Sequence, residues 1–438
     1  MLFKPSVEYL TPSDWTLRRK LFHTITPSLF AFLITFGTSV VEPGLLGMME
    51  DFQINRTTAI SGITLYTFGL AGGPLFLAPL SEIYGRRWIY VASSSCLLAF
   101  TAGAAAARNL ATFLVCRFFA GFLGSVGIAV GAGSIADIWP EDQERAVASV
   151  FFVLCPFLAP SIAPIVGTYV MRAHDDDWRW TQWVTLLIGA PIWVFTLLMQ
   201  ETSQPNRASQ SGHCSTVDRA RMKHLPRAIS LPFRMLYTDW IVLALTLHTA
   251  FGYAIIFSFF SSIYYVLGSA YGFDTQQAST CLLSLVIGYS CAILMCSAFE
   301  RIFCSTRSPT PDDTVIPEKK LYAGIAGNIL MVVGEAWYAL AARQGGNWAV
   351  LVAAGIPLGW GVFALFVTIA ANGAIRYTLG AVFPLFTLQI YEELGINWGS
   401  AVFAVTSLLL LPIPWFLCKY GEQIRSRTHK QPPRDVIS

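Results

Sequence analysis

The sequence predicts an all-α protein that crosses a membrane twelve times, as two bundles of six helices. Of the 438 residues, 54% are hydrophobic and only 13% are charged, whereas soluble domains carry about a quarter charged residues. The mean hydropathy is +0.55. Apolar runs of about 20 residues, the length that crosses the hydrocarbon core, follow one another closely. One long polar stretch divides them into two sets.

Each set contains six apolar runs that are long enough to cross the membrane. The first set covers 25–47, 59–80, 88–107, 111–134, 147–171 and 181–199. The second set covers 241–266, 279–298, 321–342, 348–368, 370–391 and 398–418. The predicted domains are an N-terminal tail (1–24), a six-helix bundle (25–199), a linker (200–240), a second six-helix bundle (241–418) and a C-terminal tail (419–438).

The distribution of Lys and Arg predicts that both termini are cytoplasmic. With twelve spans, 23 of these residues fall on the side of the termini and 5 on the other side, as the positive-inside rule expects. The weak point is residues 348–391, whose only charge is Arg376. Two helices need nearly all of that stretch, so spans 10 and 11 are predicted to be shortened. An eleven-span chain is the alternative.

Composition and motif searches argue against several other classes of protein. A net charge of +3, without a basic stretch interleaved with aromatics, gives no reason to expect nucleic acid as a partner. The nine cysteines form no CxxC pair, so neither a metal site nor a disulfide framework is predicted. The spans hold no histidines or aspartates at metal-ligand spacing and no GxSxG or phosphate-binding loop. We therefore expect no enzymatic activity and no cofactor.

The turn between spans 2 and 3 has the most specific motif. Residues 72–91 read GGPLFLAPLSEIYGRRWIYV, in which a glycine permits a tight turn and two arginines anchor the cytoplasmic side. This string resembles the signature loop of the major facilitator superfamily, in the form found in the fungal drug:proton antiporter branch with twelve spans. The resemblance implies a latch between the two halves, formed by Gly73, Glu82, Gly85, Arg86 and Arg87. Ordinary cytoplasmic anchoring is the alternative role for the two arginines.

Two ionisable residues are candidates for proton coupling. Arg117 lies inside the fourth apolar run, where a charge must be held by neighbours. The family carries an arginine at the matching place, and the resemblance implies a role in proton coupling. Snorkelling to the membrane surface is the alternative. Glu42, at the end of span 1, is the second candidate, and exposure to water at the outer surface is its alternative.

Span 5 carries a regular series of prolines. Pro156, Pro160 and Pro164 are four residues apart, and Gly167 continues a second stripe of small residues. The string APSIAP resembles the antiporter motif of the exporter branch, whose usual form is GPxxGP. It therefore implies an exporter, with alanines in place of two glycines. A helix kinked only for packing is the alternative.

Five further residues are candidates for the substrate cavity: His248, Tyr253, Phe257, Tyr264 and Glu335. An aromatic ring can stack on a planar compound, and an ionisable group inside a membrane is by default a functional hypothesis. Packing and lipid contact are the alternatives for the aromatic residues. For the histidine, the alternative is a structural hydrogen bond.

The predicted function is secondary active transport, with proton-coupled efflux of small organic compounds by a monomer in the plasma membrane. The expected partners are a small-molecule substrate, protons and the lipid bilayer. Uptake or facilitated diffusion is one alternative, because one fold serves both directions. A transport-inactive sensor or scaffold is another. It is motivated by residues 361–383, which run straight on where relatives usually have an extra stretch. Asn372 and Arg376 would then form a tight turn or lie in the membrane.

Overall fold

The first half of the chain forms six long helices. The computed structural model describes residues 12–140, 142–203, 239–299, 321–342, 346–368 and 373–416, and isolated positions 230, 234, 236, 238 and 419. We label the first six helices α1 (Leu17–Ser39), α2 (Arg56–Tyr84), α3 (Arg86–Ala105), α4 (Leu110–Ile138), α5 (Asp142–Arg172) and α6 (Trp180–Leu198). A 3-10 turn at Glu42–Gly44 and a short helix, Leu45–Phe52, extend α1.

The second half repeats this organisation after the predicted linker, most of which lies outside the described residues. Its first four helices are α7 (Trp240–Tyr271), α8 (Thr275–Ala298), α9 (Leu321–Ala341) and α10 (348–368). The last helical stretch, Gly373–Leu410, is broken at Gly395, where φ is 78° and ψ is 167°. We label its two parts α11 (373–394) and α12 (396–410).

The chain reverses direction at Gly395. The ring of Phe403 lies 6.4 Å from that of Phe383 and 6.5 Å from that of Tyr391, whereas residues 20 apart on a straight helix are separated by about 30 Å. Within the described residues, eleven helices are long and apolar enough to span a membrane, with residues 373–416 counted as one. The reversal divides that one into two crossings, so the structure favours twelve spans over eleven.

Polar residues mark where several helices begin and end. Asn55 and Asn109 each accept a hydrogen bond from the third residue after them, at 2.9 and 2.8 Å, and so cap α2 and α4. Asp274 and Gln277 form a capping box at the start of α8. At the N-terminus, α1 begins at Leu17 rather than at residue 25, so the predicted tail is partly helical. The tails beyond residues 12 and 419 lie outside the described residues.

The two halves share one packing pattern. In the first half, Gly69 and Gly121 let the backbones of α2 and α4 approach, because a Cβ on either would meet the other helix's backbone. In the second half, Gly288 and Gly359 do the same for α8 and α10. The first helix of each half is its most buried span. In its most apolar 18-residue stretch, 83% of the residues are buried for α1 with its extension and 67% for α7. This correspondence supports the two-bundle architecture.

Helices α10 and α11 are short at one end. A Cβ on Gly252 of α7 would lie 3.4 Å from Leu365 of α10. Gly252 is twelve residues after the start of α7 at Trp240, while only seven residues separate Leu365 from the start of α11 at Gly373. At 1.5 Å rise per residue, α7 therefore extends at least about 7 Å further than α10 at that end. The predicted shortening is therefore present. Asn372 lies outside the described residues.

Candidate functional site

The two halves meet along a boundary that polar contacts join at one end. We call this the Gly272 end, after the glycine that ends α7, and we call the opposite end the Gly85 end, after the turn between α2 and α3. Thr168 of α5 and Ser279 of α8 are hydrogen-bonded at 2.9 Å. Arg172 pairs with Asp274 at 3.6 Å. These contacts hold the halves together at the Gly272 end.

Glu42 lies on this boundary, and it is 8% exposed. Ser261 Oγ of α7 donates a hydrogen bond of 2.6 Å to Glu42 Oε1. The hydroxyl of Tyr264, one turn further along α7, is 3.0 Å from Ser279 Oγ. Glu42 is therefore not exposed to water at the surface in this structure. Its carboxyl bridges the two halves.

Helix α5 contacts α1 with one face and the second half with another. Pro164 has no N–H to donate to the carbonyl of Pro160. That carbonyl instead accepts a hydrogen bond of 2.9 Å from Ser39 Oγ of α1. A Cβ on Gly167 would lie 2.7 Å from the Val40 carbonyl oxygen, so glycine permits the close approach of α1. Ser39 of α1 therefore satisfies the carbonyl that Pro164 leaves without a backbone donor.

Arg117 is held inside the first half. Its side chain is 2% exposed, Nε donates to the Gly62 carbonyl at 3.2 Å, and the guanidinium lies 4.1 Å from the centre of the Tyr66 ring. Nη2 is buried without a hydrogen-bond partner. The head therefore does not snorkel to the surface. Such an unsatisfied donor costs about 1–3 kcal/mol unless something else binds it.

The turn at Gly85 contacts α4 and the end of α6. Gly85 has φ 93°, and the backbone N–H groups of Arg86 and Arg87 donate to the two carboxylate oxygens of Glu201 at 3.0 and 3.2 Å. Arg86 Nε also pairs with Asp137 of α4 at 3.0 Å. These contacts all lie within the first half.

The other predicted latch residues have different surroundings. Glu82 is exposed. A Cβ on Gly73 would collide with the Phe122 carbonyl and with Ser125 of α4. The sequence did not single out Glu201 as a site residue. It belongs to the string QETSQP at residues 200–205, and its acidic side chain placed shortly after α6 was the available signal.

A cluster of aromatic rings lies at the middle of the boundary. Phe157 of α5 contacts four rings of the second half, with centroids 4.8–6.4 Å away. We define the central aromatic cluster as Phe157, Tyr253, Phe257, Tyr289, Phe363, Phe366 and Tyr377. It contains two of the predicted cavity residues, Tyr253 and Phe257, whose rings are 4.9 Å apart.

Arg376 of α11 lies on this cluster, although the sequence did not single it out as a site residue. Its guanidinium carbon is 4.5 Å from the Phe366 ring centre, 4.7 Å from that of Tyr377 and 5.3 Å from that of Tyr253. Each such contact contributes about 0.5–2 kcal/mol, and an arginine at a helix centre in the membrane costs about 2.5–3.5 kcal/mol. The rings therefore offset much of that cost.

His248 and Glu335, two of the other three predicted cavity residues, are not members of this cluster. His248 is fully buried, and neither ring nitrogen has a hydrogen-bond partner. Glu335 of α9 is 4% exposed. A separate cavity of about 600 Å³ is lined by α8 and α10 residues such as Thr280, Ile287 and Val352. None of the candidate site residues lines it.

Comparison with known proteins identifies the family. A model of the Major Facilitator Superfamily matches residues 28–380. The chain belongs to the Major Facilitator Superfamily. This major facilitator is 28% identical to Polyamine transporter 4 of Saccharomyces cerevisiae over 472 residues, which covers 95% of the chain and 71% of the relative. It is also 28% identical to Efflux pump radE of Floropilus chiversii, over 96% of the chain and 84% of the relative.

A solved structure shows the same fold. The xylose transporter XylE from E. coli, in a partially occluded inward-open conformation, superimposes with a TM-score of 0.66 at 13% identity, covering 91% of this chain and 99% of XylE. The predicted family and membrane fold are therefore confirmed. The family and these relatives are transporters rather than enzymes. This major facilitator is a multi-pass membrane protein and a secondary transporter of small organic compounds.

Proposed function

We propose that this major facilitator exports small organic compounds while protons move inward. The observation that carries the proposal is a buried carboxyl on the boundary between the halves, Glu42, bonded across it to Ser261. The similarity to radE, which is named an efflux pump, supports the outward direction. The proline series of α5 supports it as well, through its resemblance to the antiporter motif.

Alternating access provides the mechanism. Two halves rock against each other around a site near the midplane, so that the site opens to one side at a time. The 23 basic residues on the side of the termini, against 5 on the other side, favour cytoplasmic termini. The Gly272 end then faces outward. The contacts at that end then close the outer side. Separation of the halves breaks them and opens the path for release.

Proton coupling follows from the position of Glu42. While the outer side is closed, its carboxyl is 8% exposed and bonded to Ser261. Opening the outer side breaks this bond and brings water to the carboxyl, which is the condition for proton exchange with the outside. Arg117, buried in the same half with one unpaired nitrogen, supplies the positive charge that the family resemblance links to coupling.

The remaining properties belong to the same proposal. The protein acts as a monomer in the plasma membrane, with bundles at 25–199 and 241–418 joined by a cytoplasmic linker at 200–240. The turn at Gly85 acts as the latch between the halves when the inner side closes; in the structure, whose outer side is closed, its contacts lie within the first half. Transport uses the proton gradient, about 2.3 kcal/mol per charge per 100 mV plus the pH term. We expect the protein to have no cofactor, no nucleic-acid partner and no enzymatic activity.

Growth of a yeast strain that lacks its own pumps tests the proposal. We expect the chain to confer resistance to at least one compound of a toxin panel. A proton uncoupler or Arg117→Ala should remove that resistance. Unchanged accumulation of every compound would contradict transport. Increased sensitivity to a compound, with raised accumulation, would instead indicate uptake.

A further inference from the structure

The surroundings of Arg376 define a site for one chemical class of ligand. We propose that Arg376 and the central aromatic cluster bind an organic anion, with its carboxylate paired to the guanidinium and its planar body against the rings. This inference rests on the proposed transport of small organic compounds, and it names the class of substrate.

The guanidinium of Arg376 has unused hydrogen-bonding capacity. An arginine offers five N–H donors in a planar fork that matches a carboxylate. In the structure, Nη2 donates to the Tyr377 hydroxyl at 3.1 Å. Nε is buried and has no hydrogen-bond partner. Aromatic faces attract the positive charge but do not accept these N–H groups in the fork geometry.

The balance of charge around Arg376 also favours an anionic ligand. Among the residues that the structure describes, no carboxylate forms an ion pair with Arg376. Glu42, a buried acid on the boundary, is bonded to Ser261 instead. Arg376 is half-buried, with its Nε shielded from water, and a charge withdrawn from water is stabilised by a partner of opposite charge. A ligand carboxylate supplies both the missing charge and the missing acceptor.

The position of Arg376 suits a site between the two halves. Arg376 is the fourth residue of α11, and α10 and α11 are short at that end. Its guanidinium therefore lies beside Tyr253, near the middle of α7, rather than at the end of the bundle. Phe157 brings the first half into the same cluster, with its ring 4.8 Å from that of Phe366. A ligand held there touches both halves, as alternating access requires.

This site also predicts what is rejected. A primary amine would meet the guanidinium without a counter-charge, so like-charge repulsion disfavours it. A neutral amide of the same shape keeps the aromatic contact but loses the ion pair. The expected order of affinity is therefore carboxylate, then amide, then amine.

Equilibrium binding to the purified full chain in lipid nanodiscs tests the site. The probe is radiolabelled salicylate, with benzoate, benzamide and benzylamine as competitors. We expect saturable binding that benzoate competes and benzylamine does not. Arg376→Gln should weaken it at least ten-fold. Arg376→Lys, which keeps the charge but loses the fork, should weaken it as well. Arg108→Gln, at an exposed arginine, is the matched control and should bind like the unaltered chain.

Size-exclusion elution and thermal unfolding establish which variants fold, and Arg376→Lys carries the test if the glutamine variant does not. Unchanged affinity in a folded Arg376 variant, equal competition by benzylamine, or no saturable salicylate binding would each overturn the site. The toxin assay in yeast distinguishes failure of the anion site from failure of the proposed function. Export that the Arg376 variants leave unchanged would contradict the anion site but not the proposed function.

Discussion

Ser261 on α7 donates a hydrogen bond of 2.6 Å to Glu42 in the turn that follows α1. These two helices are the most buried spans of their halves, so the bond joins the centres of the two bundles at the Gly272 end. A carboxyl and a hydroxyl that meet there only while the halves are closed can link proton exchange to the movement of the halves. The first two predictions test this link.

Glu42→Gln should separate proton coupling from transport. The amide oxygen can still accept from Ser261, so the closed contact is retained, but the side chain no longer exchanges a proton. We expect loss of gradient-driven accumulation in liposomes, with exchange of labelled for unlabelled substrate retained. Glu50→Gln, at an exposed carboxylate of the same α1 extension, is the control and should retain both activities. Full gradient-driven accumulation by Glu42→Gln would contradict the role of Glu42.

Ser261→Ala should shift the chain toward the conformation that is open at the Gly272 end. Loss of one hydrogen bond is worth about 1 kcal/mol, or roughly a five-fold change in the ratio of the two conformations. Spin labels at the exposed residues Ala173 and Ser269 report the distance between the halves. Ser290→Ala is the control, because that serine bonds only to its own helix at 2.9 Å. Identical distance distributions in both variants would count against the link.

Glu201, rather than Glu82, should stabilise the turn at Gly85. Glu201→Ala leaves the backbone N–H groups of Arg86, Arg87 and Ser203 without their acceptor. We expect a loss of about 2 kcal/mol, measured as a lower thermal unfolding temperature of the purified chain. Glu82→Ala is the matched control, because Glu82 is exposed, and it should change the temperature little. A larger fall in unfolding temperature for Glu82→Ala than for Glu201→Ala would show that Glu82 stabilises the turn instead.

Ser39 and Pro164 should be energetically coupled. Ser39→Ala removes the donor to the Pro160 carbonyl, with an expected cost of about 1–3 kcal/mol. Pro164→Ala restores a backbone N–H four residues after that carbonyl, so α5 can satisfy it internally. In that background Ser39→Ala should cost much less. The full double-mutant cycle of unfolding temperatures measures this coupling. Additive effects would mean that the serine does not substitute for the missing N–H.

The sequence predicted the crossings better than it predicted the contacts. Apolar runs of membrane length and the basic residues between them give spans, because the bilayer imposes both signals. The break between residues 391 and 398 was predicted in the same way, and it lies at Gly395. Helix α1 begins at Leu17, eight residues before the predicted span at 25–47, and it includes Arg18, Arg19 and Lys20. Near a membrane surface, such side chains contact aromatic rings, as Arg19 does with Trp15 at 4.3 Å.

Contacts between distant helices were beyond the reach of the sequence. Glu42 and Ser261 are 219 residues apart, and their meeting depends on the rotation of two helices and on the state of the boundary. The environment of Arg376 was missed because it depends on where α10 and α11 end relative to α7. His248 and Glu335 were chosen for their chemistry, which does not tell which way a side chain of a helix points.

The most direct test of proton-coupled export follows protons and substrate together. The purified chain is reconstituted in liposomes that contain a pH-sensitive dye, and a compound to which it confers resistance in yeast is added on one side. Our account predicts that protons move opposite to the compound, and that Glu42→Gln abolishes this proton movement. Movement of the compound without protons, or with protons in the same direction, would contradict it.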